Sequence, residues 1–113
     1  MSDTILHLVP AGYFRSLPAS EDYLPREFPQ DGFIHCTRKP DMMLRVANQF
    51  YKDVAGELLM LVIAESRVIA QIKYESPEPG GHLFPHIYGS LNRDAIVEMR
   101  TARRAVDGTF VSV

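Results

Sequence analysis

Leu58-Leu59-Met60-Leu61-Val62-Ile63 is an unbroken apolar run with no polar residue at alternate positions. A strand exposed on one side alternates apolar with polar residues, so this run predicts a central strand covered on both faces. Just beyond it, Val68 to Glu75 does alternate. Val68, Ala70, Ile72 and Tyr74 read as inward-facing, and Ile69, Gln71, Lys73 and Glu75 as outward-facing. One strand buried on both sides beside another half-covered one sets the architecture: a sheet that carries packed layers and still presents a polar face.

Working outward, Ile5 to Val9 reads as a first strand ending at Pro10-Ala11-Gly12, with Ile5, His7 and Val9 on one face and Leu6 and Leu8 on the other. Phe33 to Thr37, after the Asp31-Gly32 turn signal, reads as a short strand with Phe33, His35 and Thr37 on one face and Ile34 and Cys36 on the other. Ser76 to Pro85 is a proline- and glycine-rich loop, and Phe84 to Gly89 is extended around Pro85. Ala95 to Met99 begins a last strand, which Asp107-Gly108 turns back into Thr109 to Val113.

Helix is scarce. Pro18, Pro25 and Pro29 forbid a long helix between Tyr13 and Gln30, leaving a turn or two over Ala11 to Leu17 and another near Ser20 to Leu24. Pro40 opens the main helix, where its missing N–H costs nothing, and Asp41 in the first turn suits the helix dipole. Met43, Val46, Ala47 and Phe50 recur at i, i+3, i+4 and i+7 as a core-facing stripe, with Asn48 off it and Gly56 as the stop. Strands that do not alternate regularly with helices argue against a doubly wound parallel sheet. The expectation is a compact α+β domain over residues 1–113, with five to seven short strands in a split, largely antiparallel sheet and one main helix.

Composition narrows the function classes. The chain has 113 residues, 46% hydrophobic and 23% charged, enough to bury about two-thirds of its unfolded surface around one core. A net charge of -2 argues against a general electrostatic clamp on nucleic acid or membrane, leaving a phosphorylated nucleic-acid end as the one such partner retained. The single cysteine, Cys36, excludes an internal disulfide framework and a multi-cysteine zinc module. No apolar run approaches the ~20 residues of a membrane span, and no signal sequence is evident. A soluble, reduced, cytoplasmic protein is expected.

Four histidines lie near strand ends or loops. Taken singly, each reads as a hydrogen-bonded histidine supporting a turn. Together, His7, His35 and His86 stand among Thr37, Glu75 and Tyr88 in segments that otherwise read as core, which suggests a shared polar cleft. Neutral imidazole both donates and accepts, which suits holding ribose hydroxyls or moving a proton. Metal is a competing reading, but His82 and His86 cannot form a helical ligand pair across Pro85, and there is no HExxH pattern. His35 and Cys36 point to opposite faces of a strand and cannot act as a nucleophile–base pair, so Cys36 reads as a buried thiol. Arg93, Arg100, Arg103 and Arg104 offer phosphate contacts or a solvated face balanced by Asp94, Glu98 and Asp107.

Ile5-Leu6-His7, Asp31 to Thr37 followed by Ala47 to Tyr51, and Phe84-Pro85-His86-Ile87-Tyr88-Gly89 together resemble the bacterial domain of unknown function (DUF) 952 family over nearly the whole chain. That family is grouped by fold with ADP-ribosyltransferase-like proteins, which cleave or hold NAD in a split-sheet cleft. The resemblance implies that His7 takes the first-strand position that holds the nicotinamide-side ribose, with His35 or Thr37 at the second motif position. Asn48 falls in the helical Ala-Asn pair. Glu75 or His86 takes the third position, and Phe84 or Tyr88 covers the leaving ring. No resident cofactor is implied; NAD enters as a substrate. Three readings stay open: an ADP-ribosyltransferase-like enzyme, a non-catalytic nucleotide-binding module, and a small hydrolase or metal-dependent enzyme.

Overall fold

The computed structural model describes residues 3–113. Strand β3 (Leu58–Ala64) is buried at every position, as its composition requires. It lies between β1 (Thr4–Pro10) and β6 (Ile96–Thr101), antiparallel to both, so the first sheet has the order β1-β3-β6. A second antiparallel sheet places β5 (Phe84–Tyr88) between β2 (Ile34–His35) and β4 (Gln71–Glu75). A small hairpin pairs β7 (Arg103–Arg104) with β8 (Phe110–Ser112). The split, antiparallel α+β arrangement expected from the sequence is what forms.

The two faces of the first sheet carry two cores. Ile5, Val9, Leu59, Leu61 and Ile63 pack with Ile34 and Ile87 of the second sheet and with Cys36 just past β2. On the opposite face, Leu6, Leu8, Met60 and Val62 pack under α3 (Pro40–Phe50) and Phe110. Apolar contact on both sides of β3 makes truncation there costly: Leu61→Ala removes about 2–5 kcal/mol. Between the sheets, the backbone ladder continues only as a single bridge. The Leu6 amide donates to the Thr37 carbonyl at 2.6 Å, and the Thr37 amide to Leu6 at 2.8 Å.

Several local expectations change. Ser20 to Leu24 makes no helix; Tyr23 instead bridges to Leu91 in extended form. A four-residue helix, α2 (Phe28–Asp31), forms around Pro29 near its start and ends at Gly32, whose φ of +79° is readily adopted only without a side chain. The second strand is just Ile34–His35, because Thr37 leaves that sheet to meet β1. In α3, Met43 and Ala47 face the core, but Phe50 is 67% exposed; half-buried Tyr51 covers the core at that end. The Asp107-Gly108 turn closes β7 onto β8, whereas β6 pairs with β3. The short α1 (Ala11–Ser16) follows β1 directly.

Candidate functional site

Period-two alternation sorts the second sheet into an apolar side and a wet side. Ile34, Ile72 and Ile87 turn toward the core, while His35, Lys73, Glu75, Phe84, His86 and Tyr88 turn away from it. His35 stands directly across from His86, and His86 across from Lys73. Phe33, on the same side as His35, stacks on His86 with ring centroids 4.0 Å apart. Its ring is also 4.5 Å from His35 and 5.3 Å from Tyr88, and the two imidazoles are 5.5 Å apart. Lys73 Nζ sits 4.8 Å above the Tyr88 ring.

Carboxylates orient this face. His86 Nδ1 donates to Glu75 Oε1 at 2.8 Å, and the Tyr88 hydroxyl donates to the same oxygen at 2.5 Å. The Tyr88 hydroxyl bond, then His86, holds the Glu75 carboxyl below its ordinary range, and the carboxylate in turn raises the Tyr88 phenol. His35 Nε2 donates to Asp31 Oδ2 at 3.0 Å. Among the described residues, His35 Nδ1 and His86 Nε2 bond to no protein group, so each imidazole keeps one nitrogen for a ligand. The His35 side chain is 54% exposed and that of His86 13%.

The other expected site residues lie elsewhere. His7 does not line a solvent-accessible cleft: it is 1% exposed because it shares its face with Ile5 and Val9, and the second sheet and the segment bearing Tyr23 cover that face. Its Nδ1–H donates to the His35 carbonyl at 2.7 Å, and Nε2 accepts from the Tyr23 hydroxyl at 2.7 Å. Burial pulls its pKa down to about 4, so it is neutral at pH 7. Thr37 is buried and its backbone joins the two sheets. Asn48 lies apart from the β2-β5-β4 face; its amide donates to the Phe110 carbonyl at 3.1 Å and accepts the Phe110 N–H at 2.7 Å, tying α3 to β8. The three residues read as cleft-lining or ligand-binding are thus internal ties.

His82 is exposed and stands against Phe84, 4.8 Å between centroids. Cys36 is buried, and burial pushes its thiol far above the ordinary range. The arginine cluster is dispersed. Arg93 donates to the carbonyls of Glu21 and Pro18, and Arg104 to those of Tyr51, Lys52, Val54, Gly56 and Gly108. Among the described residues, no three His, Cys, Asp or Glu side chains gather as a metal site would require. A separate hollow of about 340 Å³ opens at the end of β1 between Tyr13, Tyr23, Arg26 and Glu57, and none of the histidines lines it.

Phe33, Asp31 and Lys73 were not singled out as site residues from the sequence, although Phe33 shares the alternation of His35 and Asp31 lies four residues before it. Lys73 carries the weaker signal of an outward position in a half-covered strand.

These features define the class: an α+β protein of two split antiparallel sheets, one of which exposes an aromatic and imidazole face. Residues 8–99 match the family described as "Protein of unknown function (DUF952)", and the chain belongs to that family. Its fold is similar to protein CC0527 from Caulobacter crescentus. The crystal structure of CC0527 has a TM-score of 0.79 at 20% identity, covering 95% of this chain and 92% of that one. Its solution NMR structure has a TM-score of 0.71 at 20% identity, covering 93% and 89%. No curated protein matches the chain. No helix among the described residues is long and apolar enough to cross a membrane.

Proposed function

We propose that the solvent-facing side of β2-β5-β4 binds a phosphorylated, nucleotide-like small molecule. The observation that carries this reading is the Phe33–His86 stack at 4.0 Å with the His35 ring 5.5 Å from His86. Phe33 and Phe84 offer flat apolar surface to a base, since ring stacking tolerates any heteroaromatic ligand. Lys73 supplies a donor for phosphate oxygens, and His35 Nδ1 and His86 Nε2, whose partner nitrogens donate to Asp31 and Glu75, accept from ribose hydroxyls at the spacing of adjacent strands. Glu75 holds His86 in one tautomer, with Nε2 toward the ligand.

A thermal-shift screen against NAD, ADP-ribose, 5′- and 3′-phosphorylated oligoribonucleotides and inorganic phosphate tests it. At about 100 times its dissociation constant, a ligand adds roughly 2.7 kcal/mol of stability. The effect is expected to vanish in Phe33→Ala and His35→Ala while both variants stay folded. Failure of every nucleotide to shift the wild type, or full binding by those variants, overturns the proposal.

A second reading is favoured by Glu75. Its carboxylate is kept ionised and still has Oε2 free, as a group stabilising positive charge on a ribose requires. In an ADP-ribosyl transfer, the C1′–N bond of NAD breaks and nicotinamide leaves with the bonding pair. An acceptor hydroxyl or water then adds to C1′ and gives its proton to His86. This reading stands second because His7, its expected ribose anchor, has both ring nitrogens occupied and no exposed surface. Release of nicotinamide from NAD that stops in Glu75→Gln would place it first.

A further inference from the structure

Strand β6 ends its sheet, and among the described residues no strand lies against its outer edge. Val97 to Thr101 are all exposed, Val97 at 48% and Met99 at 55%. The hydrogen bonds to β3 show which groups are free. The Ala102 amide donates to the Leu58 carbonyl at 2.9 Å, one step beyond the Leu59–Thr101 pair and in the same register. Antiparallel ladders alternate bonded and non-bonded pairs. Arg100 and Glu98 therefore bond toward β3, and the main-chain groups of Met99 and Thr101 point outward; at Val97, the extra residue of a bulge opposite Val62 and Ile63, this alternation stops. Along this edge the Arg100 guanidinium grips Glu98, Nε to Oε2 at 2.7 Å and Nη2 to Oε1 at 3.2 Å.

We propose that this edge pairs antiparallel with β6 of a second copy of the chain, about a two-fold axis through Met99. Outward-facing residues must meet outward-facing residues, so near the middle of the strand the axis passes through Glu98, Met99 or Arg100. An axis at Glu98 sets that carboxylate against its own copy, and an axis at Arg100 sets guanidinium against guanidinium. Like charges directly opposite destabilise a pair of strands. An axis at Met99 instead sets each Glu98 against the other chain's Arg100, Val97 against Thr101, and Met99 against itself. The four charges then alternate in sign across the junction, and the Met99 main chains exchange both hydrogen bonds. Charged residues on an edge strand commonly discourage pairing; here their order permits one register and penalises its neighbours. The junction is short, below the ~1,200 Å² typical of stable complexes, so association belongs at high protein concentration.

Sedimentation velocity over a series from low micromolar to near-millimolar protein tests this. The wild type is expected to shift progressively from monomer to dimer. Glu98→Arg and Arg100→Glu are each expected to stay monomeric, while an equimolar mixture of the two dimerises, because the changed chains then carry opposite charges at every facing position. Met99→Pro removes an outward N–H without touching the ladder to β3 and is expected to stay monomeric with a wild-type fold by circular dichroism. A wild type that remains monomeric throughout overturns the proposal. So does self-association of either charge variant at the wild-type concentration, or a mixture that does not pair.

Discussion

His7 and Tyr23 share a hydrogen bond of 2.7 Å in a region where both side chains are fully enclosed. The Tyr23 hydroxyl must donate, because the other ring nitrogen of His7 carries the proton given to the His35 carbonyl. Tyr23→Phe leaves Nε2 as a buried acceptor with no donor and is expected to cost about 1–3 kcal/mol in urea unfolding. Burial of the His7 ring also makes folding pH-dependent. The folded pKa of about 4 lies below the ordinary 6.5, so the unfolded chain binds the extra proton between those values. Stability is complete above pH 6.5 and falls as the pH drops toward 4, by on the order of 3 kcal/mol from this group. A flat urea midpoint across that window would contradict the assignment.

Glu75 anchors two neighbours at once. Glu75→Gln replaces the charge that raises the Tyr88 phenol, so Tyr88 is expected to ionise at lower pH than in the wild type. Tyrosinate absorbance, corrected with Tyr88→Phe, measures this. No change would separate Tyr88 from the carboxylate.

Asn48 imitates a strand: one side-chain amide satisfies both main-chain groups of Phe110. Asn48→Ala is expected to lose about 1–3 kcal/mol by thermal or chemical unfolding. Ligand affinity at the β2-β5-β4 face should be unaltered, whereas a residue that touched the ligand would change it.

Arg104 fans five bonds onto carbonyls, four just past α3 and the fifth at Gly108, and lies over Phe110 at 4.4 Å. An ammonium on a flexible stem cannot reproduce that fork. Arg104→Lys is expected to destabilise by about 1–3 kcal/mol despite keeping the charge, as a lowered melting temperature.

Cys36 combines burial with a strongly raised thiol pKa. A thiol reagent is expected to label it only through openings that part the two sheets, orders of magnitude more slowly than an exposed thiol. Labelling as fast as that of an exposed thiol under native conditions would contradict its burial.

The fold was readable where one period dominated. The apolar run of β3, the alternation of β4 and the proline-led helix α3 each follow from local spacing, and the alternation that paired Phe33 with His35 also placed both on the side of β2-β5-β4 that turns away from the core. Spacing also put His7 with Ile5 and Val9. It could not say that a second sheet and Tyr23 would cover that face, because Tyr23 lies in a proline-broken segment with no pattern to place it. Asn48 and Arg104 were opaque for a related reason: their partners are main-chain groups 62 and about 50 positions away, which composition does not encode.

At Leu6 and Thr37 the two sheets are stitched by a pair of amide bonds rather than by a full ladder. Amide hydrogens on either side of that stitch should exchange as separate cooperative units, the smaller β2-β5-β4 slab opening at lower free energy than the slab built on β3. An occupant of the aromatic face would then slow exchange mainly in its own slab, turning the stitch into a boundary for how far its grip is felt.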